Sequence, residues 1–348
     1  MSRPDAEQPL HVRLVCAHGQ VRQVDAAWRR LPVERLWIGQ PTHAIEPALS
    51  RTLTICLQAH IGAAREAVRA ALQAPQGAAP QAIGAAIRME AARDTLRRWL
   101  LDYPRAFGGA WAAEALQAWK GIRDAVTLAA YCRAHVFGMT AQGWLALDEE
   151  ALNAWIAAQV TLPAQWLARG LAAPLRAQTL PPAVDLPAWA SGHAEELLRG
   201  GMPAVAPPHA QTDAASAERD LPSALLLHRL RRLALACIDA DAPEHGGLLG
   251  GDIGIGWART ARGTLLHLAR IEQGRVTAYR ILPPTCWNAA SGGVMAAALQ
   301  GLAQAQAPHC AEQLLLLLDP CAPFEIEITP VTPAQPDGNN HGTGECVH

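Results

Sequence analysis

Two stretches, Ile45 to roughly Leu72 and Gln81 to Leu101, are built from strong helix formers with apolar residues recurring at three- and four-residue spacing. That period gives each helix an apolar face that must be covered, so these segments commit the chain to a core of packed helices. Further helical patterns run over about Ala110 to Phe137, Asp148 to Leu171 and Leu221 to Cys237, the last with Arg229, Arg231 and Arg232 on its polar side. Trp111, Trp119, Trp144, Trp155 and Trp166 are spread through the middle helices and read as core or interface packing. Extended segments frame this region. Alternation from His11 to Trp28 around His18-Gly19 predicts one hairpin, and Leu265–Arg270 with Arg275–Leu282 around Gln273-Gly274 predicts a second, stopped by Pro283-Pro284. Ala289 to Ala307 reads as a small-residue helix and Leu314 to Leu318 as a short buried apolar run. The expected fold is mainly α with small β hairpins (α+β), in one domain over residues 1–328. Pro203, Pro207 and Pro208 mark an exposed loop near 200–220, and residues 329–348 have the composition of a flexible tail.

Charge removes some functions from consideration. The 29 Lys and Arg nearly balance 31 Asp and Glu, so there is no basic field to draw a nucleic acid. The opening MSRPDAEQPL lacks the charged and apolar regions of a secretory signal, and no apolar run reaches the roughly 18 residues of a membrane span, which predicts a cytoplasmic protein. Eight cysteines at irregular spacing, with no CxxC, read as reduced thiols rather than a disulfide framework or a common structural zinc site.

Four separated stretches carry a more specific pattern. They are VRLVCAHGQVRQVDAAW near the start, RTLTICLQAH from Arg51 to His60, ARGTLLHLARIEQGRVTAYRILPPTCWN from Ala261 to Asn288, and DPCAPFEIE from Asp319 to Glu327. In order and spacing they resemble the landmarks of NiFe-hydrogenase large subunits. The second is similar to RICGVCxxxH, with Arg51, Cys56 and His60 on matching positions and Leu53 in place of the first cysteine. The fourth is similar to DPCxxCxxH, with Asp319, Pro320 and Cys321 retained while Phe324 and Glu327 replace the later Cys and His. A partly thiol-depleted, shortened chain of this kind resembles the HupK/HoxV hydrogenase maturation proteins.

The resemblance implies a truncated large-subunit-like helical core with Cys56 and Cys321 converging on a central pocket as metal ligands, and with the two hairpins near one another. Arg262 and Thr285 fall on positions that donate hydrogen bonds to iron-bound cyanide, and Pro284 on a position that walls the pocket. His60, four residues after Cys56 on an expected helix, would share its face and bond its thiolate. Two of four nickel-site sulfurs are hydrocarbon here, so stable nickel binding and catalysis are not expected. The implied role is a scaffold that transiently holds an Fe(CN)2CO unit, with HypC/HypD-type proteins and the hydrogenase large-subunit precursor as partners. A metal-free interaction protein that mimics a large subunit to dock maturation factors or the small subunit is the alternative, and a divergent hydrogenase a third. Taken singly, Cys56 would be an inert buried thiol and Arg262 a solvated hairpin residue.

Overall fold

The computed structural model describes residues 9–75, 81–169, 175, 185–201, 220–240 and 243–330. The segments 202–219 and 331–348, which hold most of the expected loop and tail, lie outside the described residues.

The first hairpin is β1 (Leu10–Ala17) and β2 (Gln20–Ala27), turning through His18 and Gly19, both at positive φ. Leu10, Val12, Leu14 and Cys16 alternate inward. The helical stretch expected from Ile45 to Leu72 is broken into α1 (Ile45–Thr52) and α2 (Leu57–Ala71). The break falls in Leu53-Thr54-Ile55-Cys56, where β-branched residues oppose continuation and Cys56 takes a left-handed conformation at φ 55°. The helix α3 (Gln81–Leu101) has its expected bounds. Short helices occur through the described residues between 103 and 198, including Ala125–Cys132, Glu149–Ala158 and Leu162–Arg169. They pack with Trp99, Tyr103, Trp144, Trp155 and Trp166 into the largest core cluster, against which Trp111 and Trp119 lie partly buried.

The next helix, α4 (Leu221–Cys237), also matches its expected bounds, but it is apolar nearly all round and its polar side is a correction. Arg229 is buried and donates to the Leu317 carbonyl at 2.5 Å, so it braces two helices instead of facing water. An antiparallel sheet follows, in the order β3 (His245–Gly250), β4 (Ile253–Thr260), β5 (Gly263–Glu272), β6 (Arg275–Leu282), so the second hairpin is half of a four-stranded sheet. The helix α2 lies directly on β4. A Cβ on Gly254 would stand 2.0 Å from the Ala67 carbonyl oxygen, and one on Gly256 1.8 Å from that of Ala63. Glycines on the strand and a stripe of alanines on the helix thus let two backbones approach where larger side chains would hold them apart.

Beyond Pro283 the chain forms α5 (Pro284–Ala289), then a helix at Val294–Leu299 that is shorter than expected. The apolar run at Leu314–Leu318 is the end of α6 (Ala307–Leu318). The DPCAPFEIE stretch ends in an unexpected strand, β7 (Phe324–Pro330), which pairs in parallel with β1 and so includes Thr329 and Pro330 of the expected tail. The two hairpins stand in separate sheets. They meet where Arg30, just after β2, donates to the Ile281 carbonyl of β6 at 3.3 Å.

Candidate functional site

The segment breaking α1 from α2, the Thr260 end of β4, the Pro283-Pro284 corner and Cys321 enclose a cavity of about 180 Å³. Cys56, His60, Pro284 and Cys321 line it, with Trp28, Leu53, Leu265 and Ile281 as apolar walls. Arg51 is not among these residues; it is exposed at the end of α1 and donates to the Pro47 carbonyl.

Cys56 owes its position to the N-terminus of α2. Its left-handed backbone is costly for a residue with a Cβ, and it is held by contacts on both sides. Glu90 on α3 accepts from the backbone N–H groups of Gln58 at 3.0 Å and Ala59 at 3.2 Å, satisfying two free donors of the helix start. Arg262 donates Nη1 to the Cys56 sulfur at 3.0 Å and to Asp94 of α3 at 2.9 Å.

Arg262 occupies the two-residue turn between β4 and β5, and its backbone N–H donates to the Thr260 hydroxyl at 3.0 Å. The side chain points inward and is 1% exposed. Its Nε lies 3.3 Å from Asp319, whose other carboxylate oxygen is 2.5 Å from Arg98 Nε. Burial alone would lower the Arg262 pKa, yet Asp319, the two thiols and Asp94 together hold it above the usual arginine range. Asp319 caps α6 in a left-handed conformation at φ 52°, one that aspartate tolerates better than most residues, and so turns the chain to bring Cys321 to the cavity. Thr285, buried on α5, accepts the Cys321 backbone N–H at 3.1 Å.

Burial pushes the Cys56 thiol well above its ordinary range; Arg262 opposes this, while Cys321, Asp94 and Glu90 reinforce it. The sulfurs thus sense one another electrostatically. Among the described residues, no group of three or more His, Cys, Asp or Glu side chains is arranged to hold a metal ion.

The expected bond from His60 to the Cys56 thiolate is a correction. Cys56 is outside helical conformation, so the i to i+4 relation does not stack the two side chains, and His60 Nδ1 instead lies 2.9 Å from His267 Nε2. His267 Nδ1 lies 2.8 Å from the Tyr279 hydroxyl. His267 and Tyr279 lie inside the third matched stretch with no expected role of their own, and Asp94 and Glu90 lie outside all four stretches. The period-two alternation of β5 and β6 places His267 and Tyr279 on the sheet face toward α2, and that pattern was available to find them.

Among the described residues no helix is long and apolar enough to cross a membrane. No family model matches the chain. It is 28% identical over 347 residues to the hydrogenase expression/formation protein HupV of Azotobacter chroococcum mcd 1, spanning 92% of this chain and 98% of that protein. To the hydrogenase expression/formation protein HupK of Azotobacter vinelandii it is 30% identical over 349 residues, again spanning 92% and 98%. Among solved structures, an NAD+-reducing NiFe-hydrogenase in its H2-reduced state shares the fold with a TM-score of 0.53 at 16% identity, over 87% of this chain and 93% of that one. A hydrogenase-type architecture, carried by a sequence that is 30% identical to HupK over 92% of its length, places this chain in the HupK family of hydrogenase expression/formation proteins.

Proposed function

We propose that this protein is a non-catalytic cytoplasmic scaffold that holds the Fe(CN)2CO unit as cargo, with Cys56 and Cys321 as its iron ligands, and passes it to a hydrogenase large-subunit precursor. The reading rests on one observation: thiols from distant parts of the chain face a single 180 Å³ cavity, and the buried Arg262 donates to one of them. An iron that brings its own cyanides and carbonyl needs few protein ligands, and two soft thiolates suit it. Burial keeps Cys56 protonated before loading, so ligation releases a proton and the incoming cation replaces it as the charge that balances sulfur. Cyanide nitrogens bound to iron carry outward lone pairs, which the Arg262 guanidinium and the Thr285 hydroxyl would meet as donors. Pro284 closes the wall without adding a donor of its own. Leu53 lines the cavity and Phe324 opens β7 where the enzyme pattern has cysteines, which leaves nickel without its thiolate set.

The test is anaerobic expression together with HypC/HypD-type proteins, followed by infrared spectroscopy of the purified chain. Cyanide and carbonyl bands are expected in the wild type and lost in Cys56→Ala and Cys321→Ala. Equal bands in all three proteins would remove both thiols from the role. A second reading, docking without cargo, is favoured by the exposed Leu31, Leu36, Ile38 and Ile55, two of which line the cavity. It expects no bands but intact capture of the same partners.

A further inference from the structure

His60 lines the cavity beside Arg30 and is the outer end of a buried line of neutral groups that runs back through His267 to Tyr279. Burial lowers the His60 pKa to about 3 and that of His267 well below the ordinary histidine value, and burial followed by Glu34 raises that of Tyr279. Each imidazole therefore carries one proton and the phenol keeps its own. The order of donors is then fixed by where the phenol proton can go. Among the described residues the Tyr279 hydroxyl has a single hydrogen-bond partner, His267 Nδ1 at 2.8 Å. A buried hydroxyl proton without an acceptor is costly, so Tyr279 donates to Nδ1. His267 must then carry its proton on Nε2 and donate to His60 Nδ1 across 2.9 Å. His60 is left with its proton on Nε2. It lines the cavity, and its Nε2 has no protein partner among the described residues.

We propose that Tyr279 and His267 are positioning residues that hold His60 as the Nε2–H tautomer, so that the cavity presents a fixed neutral donor to a lone-pair acceptor on the cargo, such as a metal-bound cyanide nitrogen. This rests on the reading of the cavity as a cargo site. The reverse order of donors would turn a nitrogen lone pair toward the cyanide and repel it. A neutral donor complements the arginines: it supplies direction where they supply charge.

Two measurements test this separately. In the metal-free full-length chain labelled with nitrogen-15, side-chain correlation spectra distinguish protonated from unprotonated ring nitrogens. Signals are assigned by their loss in His60→Gln and His267→Gln. Both histidines are expected as Nε2–H, and in Tyr279→Phe, which keeps the ring, His267 is expected to lose its single tautomer. A His60 protonated on Nδ1 in the wild type would overturn the proposal. In the loaded protein, Tyr279→Phe is expected to shift one cyanide band to lower wavenumber at undiminished iron content, because a donor on the nitrogen is weakened. Unshifted bands overturn the role toward the cargo. A wild type with no cyanide bands sinks the cargo reading itself, and the metal-free spectra still decide the tautomer.

Discussion

Two buried polar networks reach the cavity, one through Cys56 and the other through His60, and they solve the same problem in different ways. The arginine network buries opposite charges: Arg262 with Asp94 and Asp319, and Arg98 with Asp319. The histidine network buries neutral groups in a line from Tyr279 through His267 to His60. A charged network is robust in direction because each ion touches several others, but it fails badly when one member is lost, since the partners stay buried and charged. A neutral line loses little when cut, yet each group in it orients the next. The difference teaches which network carries stability and which carries orientation.

The sharpest way to break the contrast is Arg262→Ala. It takes from Asp94 and Asp319 the guanidinium they share, leaving Asp319 to Arg98, and is expected to cost about 3–5 kcal/mol, read as a lowered urea midpoint at unchanged slope. A loss no larger than that of a neutral-line variant would erase the distinction. Next is Gly256→Ala, which forces a Cβ against the Ala63 carbonyl and displaces α2, the helix that carries His60 and begins at Cys56. A cost of about 1–3 kcal/mol is expected, with both networks disturbed, visible as altered histidine nitrogen signals together with a raised Cys56 reactivity toward thiol reagents. Damage confined to one network would show that α2 does not couple them.

Acid should separate the networks more gently. His60 has its folded pKa lowered to about 3 from an ordinary 6.5, so between these values the unfolded chain binds a proton that the folded one refuses. Stability from this group is therefore full above about pH 6.5 and falls as pH drops toward 3, by up to roughly 1.4 kcal/mol per pH unit. His267, lowered in the same direction, adds to the slope. Unfolding free energy measured from pH 7 to 4 should flatten in the His60→Gln, His267→Gln double variant, and an unchanged slope would contradict the neutral assignment. Smallest is Tyr279→Phe, expected to cost about 0.5–1.5 kcal/mol in denaturant unfolding while the fold is kept. A much larger loss would mean the line is structural rather than orienting.

Local pattern made some of this legible in the sequence. Both hairpin turns and the bounds of α3 and α4 follow from turn residues and period, which act within a few residues. Cys56 and Cys321 could be placed together only by likeness to a family, because nothing near either cysteine reports on the other. The break before Cys56 escaped a reading of apolar spacing, although the β-branched run beside it carried a signal. The strands β3 and β4 are hidden because Gly247, Gly254 and Gly256 allow close approach to α2, Gly246 makes room for the Trp257 ring, and the four together dilute any strand signature. The alternation Phe324-Glu325-Ile326-Glu327-Ile328 was in plain sight, but its partner β1 lies some three hundred residues away and no local rule names it. Arg262 looked like a surface residue because hairpin turns usually are; its burial depends on acids supplied by α3 and the end of α6.

The parallel pairing of β1 with β7 makes the hollow a late product of folding. One edge of β1 finds its partner only when Phe324–Pro330 docks, and Cys321 lies just ahead of that strand. Until that docking, the second sulfur and the Asp319 carboxylate that steadies Arg262 have no fixed place, so the cavity is completed only with it.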